Sequence, residues 1–484
     1  MAPSKKWFTA EDAKASFNLF CCVYGIGTLG MPANFSRAGP ALAVVAMAFM
    51  AFANIYASLA ISKVMLLAPK SVKTFGDLGE WCMGATGRWL IVCAQVANCI
   101  LVPCVFLVLG GTLLTDLFPG TFKDSTWIIF MALSLLPVCL IPTLKEGAGA
   151  AFAGCLGTIL ADIIALVILV DGMSGHPTIP KPDVSFEQVA ITFGNLSLAY
   201  GAGIVIPALQ RQHSEPERMP RVIVVTLGVI SVLFLILAST GYSAVGCQIS
   251  GNLLFTIYPG ANGLSALGFE SDRGWTILAF LFMQLHITIG FAVILHPALY
   301  IFERVLLGMH QIKHADDIEG LNYAAVDDEI KYRPSKGSVV SIADIEKVQD
   351  EETEEAEYRG HEWKYVPMRI VVIALMTLVA ILLKDHFGDL ADFVGASAIT
   401  LCCIVLPLVF YVKKLWGTLP LWEKFCSLLV IVVCLALGTY VTIKTGKTLF
   451  APGEADPNAP KFKFCHPEDE FQVYYNATAA ALST

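Results

Sequence analysis

Eleven runs of about 20 mostly apolar residues divide this chain of 484, and that repetition leaves few folds open to it. A helix needs about 20 such residues to cross the hydrocarbon core of a bilayer. The runs cover 15–35, 40–67, 89–117, 126–142, 148–170, 189–209, 222–245, 275–302, 366–383, 390–412 and 425–443. Hydrophobic residues make up 56% of the chain and charged residues 15%, where a soluble domain carries about 25% charged residues. The net charge is -8, and no basic stripe is present to displace phosphate counterions, which speaks against nucleic acid as a partner. The expected fold is therefore an all-α polytopic membrane protein whose partner is the lipid bilayer.

Lys and Arg set the orientation, because positive loops stay on the cytoplasmic side. With the N-terminus inside, 23 of the 32 basic residues fall in cytoplasmic segments and nine in outer ones. The chain then divides into a cytoplasmic segment 1–14, helices 1–8 over 15–303, an acidic cytoplasmic loop 304–365, helices 9–11 over 366–444, and an outer or lumenal tail 445–484. Residues 1–14 are polar and the first apolar run ends without a small-residue cleavage site, so that run is expected to anchor the chain. The tail carries the sequon Asn476-Ala477-Thr478, which makes Asn476 a candidate glycosylation site. Sequons at Asn34 and Asn195 fall in or beside spans and are read as chance. Only Cys247 and Cys465 of the fourteen cysteines fall in outer segments, where a disulfide between them competes with two free thiols. The run Asp350, Glu351, Glu352, Glu354, Glu355, Glu357 reads as a solvated linker, with a partner-binding loop as the sharper alternative.

The informative residues are those a membrane helix avoids. Span 1 contains Tyr24-Gly25-Ile26-Gly27-Thr28-Leu29-Gly30-Met31-Pro32, and span 6 contains Tyr200-Gly201-Ala202-Gly203-Ile204-Val205-Ile206-Pro207. Gly-x-Gly followed by Pro thus occurs twice, with five spans between the copies, so the two halves are candidates for an inverted repeat. Irregular backbone is tolerated in a bilayer where it lines a cavity or is buried in protein. A broken helix offers N–H groups to a carboxylate and C=O groups to an ammonium, which suits a zwitterion. The competing reading is that these glycines only permit close helix packing. Gly27 and Gly203 are expected to serve binding rather than folding, so that a valine at either would abolish uptake.

These segments resemble the amino acid/auxin permease family of the amino acid-polyamine-organocation superfamily. Gly25 to Pro32 followed by Ala38-Gly39 looks like that family's first-helix signature. Phe193-Gly194 through Pro207, then Glu215-Pro216 with Pro220, is similar to its sixth helix and following turn. Gly241 to Gly246 resembles the end of its helix 7, and Leu406 to Tyr411 the end of its helix 10. The resemblance implies a LeuT-type core of five plus five inverted helices, broken at helices 1 and 6, with an eleventh helix added. It also implies secondary transport of amino acids, in a plasma membrane or a vacuolar or lysosomal one.

Tyr24, Gly25, Ile26, Gly27, Thr28, Gly201 and Gly203 are the candidate substrate contacts at the breaks, joined by Val102, Cys104 and Phe106 of span 3 and Ser197 and Tyr200 of span 6. None carries a charge, which fits a small neutral amino acid. Two ionisable residues lie near span centres, Asp162 in span 5 and His286 in span 8, and each is a candidate proton carrier. Sodium is the competing ion. The LeuT-type position between helices 1 and 8 offers Asn18, Gln284 and Thr288 for it, with no carboxylate. Metal-ligand spacing, nucleotide fingerprints and a Walker loop are all missing from the sequence, so neither an enzyme, a metal nor a cofactor is expected. Two functions remain: an amino acid symporter, proton-coupled or sodium-coupled, and a membrane amino acid sensor signalling through the acidic loop.

Overall fold

The computed structural model describes residues 7–69, 71–72, 74–141, 147–174, 179–249, 251–260, 263–309, 358, 360–451 and 460–473. The acidic run and Asn476 lie outside the described residues. Among the described residues there is no sheet, only two isolated antiparallel bridges, Pro182 with Cys465 and Leu264 with Glu270. Helix is what a bilayer demands, since each backbone N–H and C=O must find its partner within the segment.

The chain opens with α1 (Ala10–Val23), whose first turn is closed by a capping box. Thr9 Oγ1 accepts from the Asp12 N–H at 3.2 Å, and the Asp12 carboxylate accepts from the Thr9 N–H at 2.8 Å. A 3-10 helix, Ile26–Gly30, follows, then α2 (Met31–Leu67). Helical structure from Ile26 to Leu67 covers 42 residues. Laid straight it would reach about 63 Å, twice the hydrocarbon core. Gly39 interrupts it at φ 69° and ψ 156°, a conformation open to glycine, and the next residue is Pro40. This break separates the expected spans 15–35 and 40–67.

Further helices are α3 (Phe75–Leu117), interrupted at Gly84, α4 (Asp124–Leu140), α5 (Gly147–Gly172), α6 (Phe186–Ala199), the short α7 (Ile206–Gln212) and α8 (Met219–Val245). They are followed by α9 (Leu253–Ile257), α10 (Arg273–Leu306), α11 (Glu362–Leu382) and α12 (Phe387–Val394). A π-helical stretch, Gly395–Val405, leads into α13 (Leu406–Leu415), and α14 (Leu421–Phe450) closes the bundle. Nine of the described helical segments are long and apolar enough to cross a membrane. The 17-residue α4 is just short of that length, and the segment broken at Gly39 counts once.

The surface departs from that of a soluble protein in carrying large apolar side chains around an apolar core that also holds a few ionisable groups. Val45, Val232, Leu375, Leu382 and Val432 are each more than half exposed on the rim, while Asp12, Asp162, Glu303, Arg369 and Asp392 are buried within. Each buried ion has a specific partner set. Arg369 Nε donates to Glu303 Oε1 at 2.7 Å, and its Nη1 donates to the carbonyls of Cys139 and Ile141.

Candidate functional site

The two interruptions repeat one local plan. α1 ends at Tyr24, Gly25 follows in extended backbone, a 3-10 helix runs to Gly30, and Pro32 sits in the first turn of α2. α6 ends at Tyr200, Gly201 follows, a 3-10 helix runs Gly203–Val205, and Pro207 sits in the first turn of α7. Proline is tolerated there because the first N–H groups of a helix have no intrahelical acceptor. At the first break the N–H groups of Gly25, Ile26 and Gly27 head the 3-10 helix in that unsatisfied position, with Thr28 the first to bond back, to Gly25 O at 3.0 Å. At the second break the Val205 N–H is bonded back to Ala202 O at 3.2 Å.

The breaks touch one another. A Cβ added to Gly27 would lie 2.6 Å from Ala199 Cα, and one added to Gly203 would lie 2.7 Å from Cys403 Cα on the π-helical stretch. Backbone occupies the space in both cases. These two glycines therefore permit close helix approach, the alternative weighed against a purely binding role. Gly25 is different: its added Cβ would meet the His286 ring, 2.9 Å from Nε2. Asn34 Nδ2 donates to Asn195 Oδ1 at 2.8 Å and ties the two broken helices together. Both asparagines are buried, so the sequons read as chance are a structural clasp.

The two ionisable candidates converge on the first break. Asp162 of α5 is 2% exposed. Its Oδ2 accepts from the Tyr24 hydroxyl and its Oδ1 from the Thr28 hydroxyl, each at 3.1 Å, so one carboxyl holds both sides of the break. His286 of α10 places Nδ1 3.2 Å from Gly154 O on α5, and its ring lies 5.9 Å from that of Phe106 on α3. Among the described residues no Lys or Arg forms an ion pair with Asp162.

Other candidates point elsewhere. Ser197 Oγ accepts from Thr400 Oγ1 at 3.1 Å, which joins α6 to the π-helical stretch. Thr400 also donates to Gly395 O, five residues back, the π-helical spacing. The Tyr200 hydroxyl leaves the break for Ser231 on α8, at 2.9 Å. The Cys104 thiol faces Met376 O on α11, and the Gln284 amide faces Met131 on α4. Thr288 Oγ1 returns to Gln284 O within its own helix at 2.8 Å. The neutral oxygens expected to form a sodium site are thus not gathered by these bonds at the first break; Asn18 is half-buried on α1, and Val102 is buried on α3. Among the described residues no group of three or more His, Cys, Asp or Glu is placed to hold a metal ion.

Residues 10–446 match the family described as transmembrane amino acid transporter protein. The chain belongs to this family. It is 22% identical over 451 residues to the amino acid transporter ANT1 of Arabidopsis thaliana, covering 88% of this chain and 90% of that protein. It is 23% identical over 305 residues to vacuolar amino acid transporter 7 of Saccharomyces cerevisiae (strain ATCC 204508 / S288c), covering 60% of this chain and 58% of that one. Among solved structures it is similar to that of MhsT in complex with L-phenylalanine, with a TM-score of 0.52 and 13% identity over 92% of this chain and 99% of that one. At that identity the likeness shows the fold alone, a LeuT-type one, in agreement with the paired breaks. For this transporter family member, the sequence signals that were missed are Asn34, Asn195 and Thr400, since each has its partner more than 150 residues away.

Proposed function

We propose that this chain is a secondary active symporter that moves small neutral amino acids with protons by alternating access. The observation that carries the reading is Asp162 accepting hydrogen bonds from Tyr24 and Thr28 on either side of the helix 1 break. Ionised, the carboxylate accepts from both hydroxyls; protonated, one of its oxygens becomes a donor, so its bond to Tyr24 or Thr28 must reverse direction and that hydroxyl is freed to donate elsewhere. Proton occupancy is thereby transmitted to the backbone segment whose N–H groups face a substrate carboxylate. His286, against Gly25 and Phe106, is the second carrier. The candidate contacts Val102 and Phe106 of α3 carry no charge, which supports a small neutral substrate.

Closure on each side has its own buried ion pair. At the end bearing the tail, which the positive-charge bias makes the outer or lumenal one, Arg37 Nη1 donates to Asp392 Oδ2 at 2.8 Å. At the cytoplasmic end, Arg218 Nη2 donates to Asp12 Oδ2 at 2.6 Å. Both pairs are intact, as in an occluded state. The vacuolar name of the yeast relative supports a vacuolar or lysosomal membrane alongside the plasma membrane.

The test is uptake of a panel of labelled amino acids by the purified protein in proteoliposomes, under an imposed proton gradient or a sodium gradient. Accumulation of small neutral amino acids driven by protons is expected; accumulation that needs sodium and ignores the proton gradient overturns the reading. One observation favours a second function, that of a sensor. Tyr358, next after the acidic run, donates to buried Glu303 Oε2 at 2.7 Å, so movement of α10 reaches the loop. A pure sensor binds amino acid in the same proteoliposomes without accumulating it.

A further inference from the structure

The C-terminal segment 460–473 is more than a trailing end. A disulfide joins Cys465 to Cys247, in the turn after α8, across a separation of 218 residues and with a Cα–Cα distance of 5.2 Å, inside the ordinary range for such bridges. Backbone bonds extend the attachment. The Asp183 N–H donates to Phe464 O at 2.9 Å beside the Pro182–Cys465 bridge, and the Cys247 N–H donates to Pro180 O at 3.1 Å. The Gln248 side chain donates to the carbonyls of Asp469 at 3.2 Å and Gln472 at 2.7 Å. The turn is tied to the end of broken helix 1 as well, because Ser36 Oγ donates to Gly246 O at 2.8 Å.

This attachment places one side chain on the outer ion pair. The Arg37 guanidinium carbon sits 5.3 Å from the centre of the Phe464 ring, while Nη1 of the same group holds Asp392. Lys463 Nζ lies 5.3 Å from the centre of the same Phe464 ring. Arg37 is 9% exposed and its Nε has no hydrogen-bond partner, so the Phe464 ring over the guanidinium adds a cation–π contact to a nearly buried cation. The segment's other anchors, Cys465 and Phe462, are buried in the main core.

We propose that the disulfide-held segment 460–473 is a lid on the outer closure, with Phe464 the positioning residue that keeps Arg37 aimed at Asp392. The proposal rests on the reading of Arg37–Asp392 as the outer closure. Separation of α2 from α12 moves Arg37 away from Asp392, and Phe464, held to the α8 turn and to residues 180–183, goes with Arg37 rather than with α12. Phe464 thus keeps the guanidinium oriented while the two helices are apart, which favours the closed outer end by sparing Arg37 the ordering it would otherwise need to rejoin Asp392, and removal of the lid shifts the balance toward the outward-open state.

Hydrogen exchange of the full-length protein in lipid nanodiscs tests this, read over 31–39 and 387–394 at the outer end and over 10–23 at the cytoplasmic end. For Phe464→Ala the exchange of the two outer segments should rise at least twofold and by no more than about thirtyfold, the factor that a desolvated cation–π contact represents, with 10–23 unchanged. Phe464→Tyr, which keeps a ring under the guanidinium, should restore the wild-type rate. A Cys247→Ser, Cys465→Ser double variant should match Phe464→Ala, and it carries the test alone if Phe464→Ala does not fold. Asp392→Asn separates the two ideas. If it raises outer exchange while the lid variants do not, the lid is overturned and the closure stands; if it leaves outer exchange unchanged, the closure reading fails and the lid with it.

Discussion

At the scale of single residues, Gly27 and Asp162 divide structure from transport. The space beside Gly27 is filled by Ala199 backbone, 2.6 Å from where a Cβ would stand. Overpacking of this kind costs about 1–3 kcal/mol. Gly27→Ala should therefore lower the melting temperature of the purified protein, and Gly27→Val should prevent folding, so loss of uptake in the valine variant says nothing of substrate. A Cβ at Gly201 would make ordinary contacts, with the Ile399 side chain at 3.4 Å and the Leu198 carbonyl oxygen at 3.5 Å. Gly201→Ala should keep the melting temperature, so any change it makes in substrate affinity reports on the site. Asp162→Asn keeps the shape and the hydroxyl partners of the carboxyl but removes its exchangeable charge. Proton-driven accumulation should fall to the level seen without a gradient while exchange of labelled for unlabelled substrate survives. His286→Gln should weaken accumulation less, because its bond is to a backbone carbonyl rather than to the break itself. Proton coupling that survives in both variants sinks the assignment.

At the scale of elements, the first turn of α1 and the α7–α8 connection act as one cytoplasmic clasp. Arg218 hydrogen bonds hold the Asp12 carboxyl well below the usual carboxylate range, against the opposing effect of burial, with Thr9 adding to the depression. His213 Nε2 also approaches Asp12 Oδ1 at 3.1 Å, and the Ser214 N–H donates to Glu11 Oε1 at 2.6 Å. A depressed carboxyl contributes stability that is fully present above its unfolded pKa of about 4 and is lost as pH falls below that value. The Asp12 carboxyl therefore adds no pH dependence to the clasp between pH 5 and 8. Protection from hydrogen exchange over 10–23, taken relative to the intrinsic base-catalysed rate at each pH, should gain no Asp12 contribution across that range and should fall only in acid; Asp12→Asn, which breaks a buried pair at a cost of about 3–5 kcal/mol, should lower it at pH 7. A clasp that loosens between pH 7 and 5 in the wild type would contradict this origin. The breaks themselves were legible in the sequence, because Gly-x-Gly and Pro in an apolar run have few structural uses. The clasp was not, since Asp12 and Arg218 are 206 positions apart and each alone reads as an ordinary loop charge. Gln284 is a mixed case: its position in span 8 suggested an ion site, and the packing of α10 on α4 turns its amide nitrogen toward the Met131 sulfur while its buried Oε1 is left without a hydrogen-bond partner.

At the scale of the whole molecule, function depends on which end of the bundle faces which compartment, and three unrelated features give one answer. Twenty-three of 32 basic residues fall on the side of the N-terminus. The disulfide between Cys247 and Cys465 lies at the opposite end, and disulfides persist where the compartment is oxidising. The segment that carries Cys465 leads, eleven residues on, to the sequon Asn476-Ala477-Thr478, whose acceptor lies outside the described residues. With this orientation the tail faces the lumenal glycosylation machinery, so Asn476 should be modified in a eukaryotic host. Glycosidase treatment should then increase the gel mobility of the wild type, and Asn476→Gln should already run at the treated position. The disulfide supplies an internal control: a Cys465→Ser variant should keep the glycan, because sidedness is fixed by the spans and their flanking charges rather than by the bridge. If wild type and Asn476→Gln run alike before and after treatment while a sequon engineered into residues 1–14 is modified, the orientation is inverted. The Arg37–Asp392 pair would then close the cytoplasmic side.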